Sequence, residues 1–314
     1  FELGVLLAMS HFAASEVDAA VVEVGMGGEF DATRAVGPRV AAIVTVDLDH
    51  CAFLGDTVEE IARTKARMAP PGGVLVTTEV RPDRLEVIRE ETERVKCDLK
   101  IAQEDFIWSF KDAAFSFESD WLTLDSITLG IPGAHQGQNA ACALAATGEL
   151  CRRSNLKYPS PWTAAKALQQ VRFPGRLERI RSGPGGPVFL LDGAHNPAGA
   201  RVLATHLEGR PRRGRRVWLY AAMADKVRGP LLEALLPQVD RVVCTRGSSS
   251  DRFADPEILA EEVRAAGGRA EVIEPAADAA SSLLDSLGML DEVLVAGSLY
   301  LVGDVRQALN RPLA

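Results

Sequence analysis

The sequence predicts an α/β protein of two domains, and three observations carry that expectation. Short apolar runs alternate with amphipathic helical stretches over residues 1 to about 100, the pattern of βαβ units. The same alternation resumes after Pro174-Gly175. Between the two, aromatic residues recur at a spacing of mostly two, which is the period of a strand. At 314 residues the chain is long enough to bury two cores.

Residues 1–9 read as a helix already under way, with no N-cap before Phe1, as expected of a piece of a longer protein. Residues 19–22 are the first predicted strand; Glu23 ends it, and Gly25, Gly27 and Gly28 follow. Residues 40–46 are the second, with His50 just beyond. Asp56 and Glu59 resemble a capping box, so a helix begins near Thr57. Val58, Ile61, Ala62 and Met68 form its apolar stripe, and Lys65 falls on the same stripe. Residues 73–78 are a third strand, 84–95 a charged surface helix and 100–102 a short edge strand. Phe106, Trp108, Phe110, Phe115, Phe117 and Trp121 predict a small antiparallel meander. Two helices follow, over 138–152 and 162–170. The Pro-Gly turn within residues 171–176 is the expected boundary, dividing the chain into domains of 1–174 and 175–314. Beyond it, strands over 188–191, 217–220, 242–244 and 293–296 separated by helices predict a Rossmann-like domain.

A net charge of -8 argues against a nucleic-acid-binding surface, which needs clustered Lys and Arg. The basic run Arg210-Pro211-Arg212-Arg213-Gly214-Arg215-Arg216 reads as a solvated turn before a strand. Cys51, Cys97, Cys142, Cys151 and Cys244 form no C-x-x-C pair, which fits reduced thiols in a cytoplasmic protein; Cys142 is expected on a buried helix face. No apolar stretch approaches the roughly 18 residues needed to span a membrane, and no signal peptide is visible. A monomer with small-molecule substrates is expected.

Glu23, His50 and Lys65 each close a different unit of structure. Ligands of an open parallel sheet bind beyond the carboxyl ends of its strands, where Glu23 and His50 would project. Three ordinary surface residues near loops are the alternative. Glu23 is a hard carboxylate suited to Mg²⁺; imidazole is a less usual ligand for that ion, and Asp47 and Asp49 flank His50 as oxygen donors. Lys65 either snorkels to solvent or has its charged form destabilised. In the second case the neutral amine reacts with carbon dioxide to give a carbamate, an anionic oxygen ligand. A second cluster is Asp192-Gly193-Ala194-His195-Asn196-Pro197. Asp192 ends a strand and Pro197 fits the first turn of the next helix. These are contacts for a nucleotide or amino acid, or an Asx-turn with a surface histidine. In a third cluster His135, Gln136, Gln138 and Asn139 open a helix whose N-terminus faces a phosphate or an adenine-bearing nucleotide, or is simply capped.

Taken together, the motifs resemble the Mur-ligase superfamily, and within it folylpolyglutamate synthase/dihydrofolate synthase. The family's E-V-G-L-G-G-R-L-D-A-T-N occurs as Glu23 through Arg34, and Asp49-His50 with Leu54-Gly55 resembles D-H-x-x-x-L-G. Ile61 through Ala66 resembles I-A-x-E-K-A, and His135-Gln136 with Asn139-Ala140 resembles H-Q-x-x-N-A. Phe173 through Glu178 and Asp192 through Pro197 match F-P-G-R-x-E and D-G-A-H-N-P. Gly297 through Tyr300 resembles G-S-L-Y. The resemblance implies a central Mur-ligase-type ATPase domain, truncated at its N-terminus, and a C-terminal Rossmann-like domain. It implies an ATP-dependent ligase that adds L-glutamate to dihydropteroate or folates through an acyl phosphate. Glu23 and His50 would be Mg²⁺ ligands and Lys65 the carbamylated lysine. Asn139, Arg176 and Asp192 would contact ATP. Phe30, Asp31 and Ala32 fall at the pterin-bearing substrate, and His195 and Ser298 near the incoming glutamate. Glu29, Phe30 and Arg34 depart from the usual Arg, Leu and Asn, and Thr64-Lys65-Ala66-Arg67 replaces E-K-A-G. No G-x-x-x-x-G-K-[ST] occurs; the family's phosphate loop would precede Phe1, so residues 1–314 alone are expected to be weakly active or inactive. A UDP-muramoyl peptide ligase and a noncatalytic nucleotide- or folate-binding module are the alternatives.

Overall fold

The computed structural model describes residues 1–48 and 50–310, so Asp49 lies outside the described residues. The chain divides into two compact units, residues 1–130 with 134–171, and residues 131–133 with 172 onward.

The first unit runs α1 (Glu2–Ala14), a 3-10 turn (Ala32–Val36), β1 (Val40–Ile43), α2 (Cys51–Leu54), α3 (Val58–Ala66), β2 (Val74–Thr77), α4 (Pro82–Arg94) and β3 (Asp98–Ile101). Then come β4 (Ile107–Lys111), β5 (Ala114–Glu118), β6 (Thr123–Thr128), α5 (Ala134–Ser154) and α6 (Pro161–Gln170). β1, β2 and β3 pair in parallel in that order, with β3 at an edge as expected. The central β2 is buried along its length, so Val74, Leu75 and Val76 run without a polar alternation, and the buried Thr77 hydroxyl donates to the Ile43 carbonyl. Its faces serve different cores. Val74 and Val76 join Ala141 and Leu144 of α5 and Phe115 and Phe117 of the meander. Leu75 joins Ile61 and Ala66 of α3 and Ile88 of α4. Successive strand side chains point to opposite faces, which divides these neighbours. Each large apolar side chain buried this way stabilises the unit by roughly 1.5–3 kcal/mol. Cys142 is buried on α5, and burial pushes its thiol up to about 12.

Three local expectations are corrected here. Residues 19–22 form no strand, and Val21 is 95% exposed. An apolar run becomes a strand only beside a partner ladder, and β1 pairs only with β2 among the described residues. The capping box of α3 is formed by Thr57 and Glu60 rather than Asp56 and Glu59. Thr57 has the extended backbone of an N-cap, which makes Glu60 the N3 residue. Finally, α5 starts at Ala134 rather than at 138, so His135 and Gln136 lie in its first turn and not before it.

The second unit runs β7 (Glu178–Arg181), β8 (Val188–Leu191), α7 (Pro197–Glu208), β9 (Arg216–Tyr220), α8 (Gly229–Leu235) and β10 (Arg241–Cys244). It continues with α9 (Pro256–Ala265), β11 (Ala270–Val272), α10 (Ala276–Ser286), β12 (Glu292–Ala296) and α11 (Leu299–Asn310). The sheet order is β11-β10-β9-β12-β8-β7, parallel except for β7. Leu190, Trp218, Val242 and Leu294 face α7, α8 and α9, while Phe189, Val217, Val243 and Val293 face α10 and α11. Helices therefore cover both faces, as in a doubly wound fold. β7 and β11 were not foreseen. β7 is charged at three of its four positions and lies at the sheet edge, and β11 is three residues long.

Candidate functional site

In the first unit, the glycine-rich segment docks on the C-terminal turn of α3. The Glu29 amide donates to the Thr64 carbonyl at 3.1 Å, and the Glu29 carboxylate meets the Arg67 guanidinium at 2.5 Å. Both residues depart from the family pattern, and in space they compensate each other: a carboxylate at 29 faces a cation at 67. Asp31 organises the same segment. Its carboxylate accepts from the amides of Met26 (3.0 Å) and Thr33 (2.9 Å) and from the Thr33 hydroxyl (2.5 Å). Burial acts to raise its pKa, but these donors outweigh it and hold the group below its ordinary range. Asp31 thus caps the turn that begins at Ala32. Phe30, beside it, is 90% exposed and presents its ring to solvent.

Glu23 is exposed on the unpaired segment that precedes these glycines. His50 is exposed too, at φ 51°, and its carbonyl accepts from the Phe53 and Leu54 amides to open α2. Lys65 is half-buried on α3. Among the described residues no three carboxylate, imidazole or thiol groups are placed to hold a metal ion. Lys65 becomes an oxygen donor only as a carbamate, so the unmodified side chains do not complete a metal site.

The carboxyl ends of β1 and β2 are tied together by residues that the motif reading passed over or read as caps. Glu79, buried just past β2, accepts from the Val46 amide at 2.9 Å and from Arg81. Its burial would raise its pKa, yet Arg81 and the Val46 amide lower it below the ordinary value. Gln138 on α5 donates to the carbonyls of Thr78 (3.0 Å) and Val44 (3.3 Å). Asn139 is exposed and donates to Gln136 at 2.9 Å. The signal available in advance for Glu79 was a charged residue directly after an apolar strand.

In the second unit, Asp192 follows β8 and is 8% exposed. One carboxylate oxygen accepts from the Leu177 amide at 3.0 Å and the other from the Ala194 amide at 2.9 Å. Burial raises its pKa, opposed by those two amides and by the charges of Arg176 and His195. Gly193 is where Leu299 and Arg176 come close: a Cβ there would lie 2.3 Å from Cδ2 of Leu299 and 2.9 Å from Nη1 of Arg176, so a side chain at 193 would displace both. The His195 Nδ1 lies 2.8 Å from the Gly193 carbonyl. A carbonyl only accepts, so Nδ1 carries a proton, and Nε2 is the nitrogen left to exchange one. Asn196 caps α7 through the Gly199 amide, with Pro197 at the first helical position as expected. Ser298 is buried at the carboxyl end of β12, next to β8, and its hydroxyl accepts from the Tyr300 amide. The Gly297 amide donates to the Ala194 carbonyl at 2.8 Å, which joins the two loops. Arg176, Asp192, His195 and Ser298 are thereby collected at one end of one sheet.

Family models confirm the class that this fold and this site define. The Mur ligase middle domain matches residues 1–147, and the Mur ligase glutamate ligase domain matches residues 175–299. The chain is 36% identical to a probable bifunctional folylpolyglutamate synthase/dihydropteroate synthase of Haloferax volcanii, over 99% of this chain and 37% of that protein. It is 33% identical to the dihydrofolate synthase/folylpolyglutamate synthase of Mycobacterium tuberculosis, over 99% of this chain and 68% of that one. A solved structure of the bifunctional folylpolyglutamate synthase/dihydrofolate synthase from Yersinia pestis, complexed with AMPPNP and a Mn ion, is similar at a TM-score of 0.84 and 28% identity. It covers 99% of this chain and 71% of that chain. The chain belongs to the folylpolyglutamate synthase/dihydrofolate synthase family. It spans 37% and 38% of the length of two haloarchaeal relatives, from Haloferax volcanii and Halobacterium salinarum.

Proposed function

We propose that the chain carries nucleotide- and glutamate-handling parts of an ATP-dependent ligase that adds L-glutamate to dihydropteroate or to folates. The observation that supports this most directly is Asp192, a buried carboxylate clamped by two amides, with Arg176 and His195 beside it. In the proposed reaction a substrate carboxylate oxygen attacks the γ-phosphorus of ATP, and the bond to the β,γ-bridging oxygen breaks to release ADP. The glutamate amine then attacks the acyl carbon of the acyl phosphate, and the carbon–oxygen bond breaks to release phosphate. Arg176 suits a phosphate oxygen, since guanidinium donates two parallel hydrogen bonds. The free Nε2 of His195 is the group to take the proton that the amine loses on amide formation. Asn139 and Asp192 are proposed nucleotide contacts, Phe30, Asp31 and Ala32 contacts for the pterin-bearing substrate, and Ser298 a contact for glutamate.

Mg²⁺ is the proposed metal, with Glu23, His50 and a carbamate on Lys65 as its ligands; bound there it would stabilise phosphoryl charge. No phosphate-loop motif occurs in residues 1–314, so turnover by this stretch alone is proposed to be low. A monomeric, cytoplasmic protein completes the reading, supported by five free thiols.

Calorimetric titration of ATP into the chain and its Arg176→Ala variant tests the site, and undiminished affinity in the variant would overturn it. Thermal shift with dihydropteroate and with a UDP-muramoyl peptide tests the substrate. Stabilisation by the second and not the first would overturn the folate assignment.

A further inference from the structure

The arginine run read from the sequence as a solvated turn is part of a built cavity. A concavity of about 630 Å³ opens at the N-terminal ends of β8, β9 and β12. Asp192 and Ser298 follow the opposite ends of β8 and β12, a full strand length away, roughly 3.3 Å for each residue. The cavity is thus separate from that cluster within the same sheet. Its floor is one register row: Arg181 pairs with Val188, Val188 with Glu292, and Glu292 with Arg216.

Seven of the lining residues are arginines. Three of them converge on Glu292: Arg216 at 2.9 Å, Arg210 at 3.3 Å and Arg179 at 3.6 Å. Arg212 pairs with Asp240, and Arg215 with Asp291. Arg181 and Arg213 line the cavity with no ion pair among the described residues. Seven guanidinium groups therefore face three carboxylates, leaving four positive charges uncompensated. Nη1 of Arg210 is buried and has no hydrogen-bond partner among the described residues. The loop that presents these groups is pinned: the Arg215 amide donates to Asp291 at 2.8 Å and the Arg216 amide to Asp240 at 2.7 Å.

We propose that this cavity binds a small anion carrying linked phosphates. Guanidinium is always charged and its fork matches phosphate oxygens in pairs. The volume is that of a small-molecule site. One phosphate group brings a charge of about -1.5 to -2, so two or more linked phosphates are needed to balance the surplus. Met289 and Leu290, each 57% exposed, supply an apolar stretch of the lining, so the phosphate chain is either free or attached to an organic group.

The test is calorimetric titration with inorganic tripolyphosphate at low salt in the presence of EDTA. It compares the wild-type chain, Arg181→Glu/Arg213→Glu and Arg176→Ala. Arg181 and Arg213 are exposed, so the double variant should fold, and a matching circular dichroism melt checks that. The expected result is a binding event that weakens with salt, falls at least tenfold in the double variant and persists in Arg176→Ala, apart from any second event lost with Arg176. Displacement by a nucleoside triphosphate supports the proposal whether it binds more tightly, which indicates an attached organic group, or equally, which indicates phosphate alone. No binding by the wild type, equal binding by the double variant, or loss of that event in Arg176→Ala alone would each overturn it. None of these outcomes depends on the ligase reading.

Discussion

Replacing Asp192 with alanine removes both acceptors that hold the Leu177 and Ala194 amides. Both residues are buried, at 3% and 4% exposure, so water does not readily replace the carboxylate. Leaving a buried donor unsatisfied costs about 1–3 kcal/mol, and two such donors about 2–6 kcal/mol. Part of that is offset, because the variant no longer carries a carboxylate whose charged form burial disfavours. Leu177 also holds φ at 49°, a conformation that the Asp192 contact helps to maintain. Asp192→Asn keeps one acceptor and turns an NH₂ toward the other amide, so its expected cost is about half. Amide hydrogen exchange reads this locally: 2 kcal/mol is roughly a thirtyfold faster exchange at Leu177 and Ala194. Amides in β9 should be far less affected than these two. Wild-type exchange rates at Leu177 and Ala194 in Asp192→Ala would refute the clamp. The pH dependence has a definite sign. A folded pKa raised above the unfolded value contributes stability that is complete below the unfolded pKa and is lost as pH rises through the folded one. Asp192→Asn should remove that decline.

Glu29→Arg and Arg67→Glu should each lower the melting temperature, by about 0.5–1 kcal/mol in free energy because the pair is partly exposed. The double swap should recover only part of the loss, because Arg67 also lies 3.5 Å from the buried Glu91, and additive losses would show that Glu29 and Arg67 are not coupled. Glu79→Gln should cost about 1–2 kcal/mol, since the Val46 amide and Arg81 lose a charged acceptor. The folded pKa of Glu79 is depressed, so its contribution is present above the ordinary glutamate value and is lost as pH falls through the depressed one. Urea midpoints measured across that acid range should flatten in Glu79→Gln. Gly297→Ala should cost about 3 kcal/mol, because φ is 116° and a Cβ would collide with the Ala221 carbonyl. A midpoint within 0.5 kcal/mol of the wild type (about the spread of neutral surface changes) would contradict that placement.

Much of the strand and helix order was legible because burial imposes a period. β2, β8, β9, β10 and β12 each contain an unbroken apolar run of three or more residues, and such runs have few alternatives to the interior of a parallel sheet. Pro197 in the first turn of α7 was equally local, since its fixed φ suits a helix start and needs no distant partner. Residues 19–22 show the limit. Their composition is that of a strand, but strand formation is a property of pairs, and no partner ladder meets them among the described residues. β7 and β11 were missed for the converse reason, since a charged or very short edge strand is defined by its neighbour.

The site divides along the same line. Arg176, Asp192, His195 and Ser298 were singled out from their motifs, yet their distances in sequence say nothing about proximity. The pairing of β8 with β12 brings their ends together, and the Gly297–Ala194 hydrogen bond joins the loops. The Glu29–Arg67 pair and the compensated role of Glu79 were likewise invisible in one dimension. What sequence by itself determined was the class of fold, the order of most elements and the motifs that mark the family, all of which follow from local period and residue chemistry. Tertiary structure alone decided which charges are neutralised. The Arg210–Arg216 run becomes a charged cavity only when Arg179, Arg181 and Glu292 arrive from other strands, because electrostatic balance depends on distance through space and not along the chain.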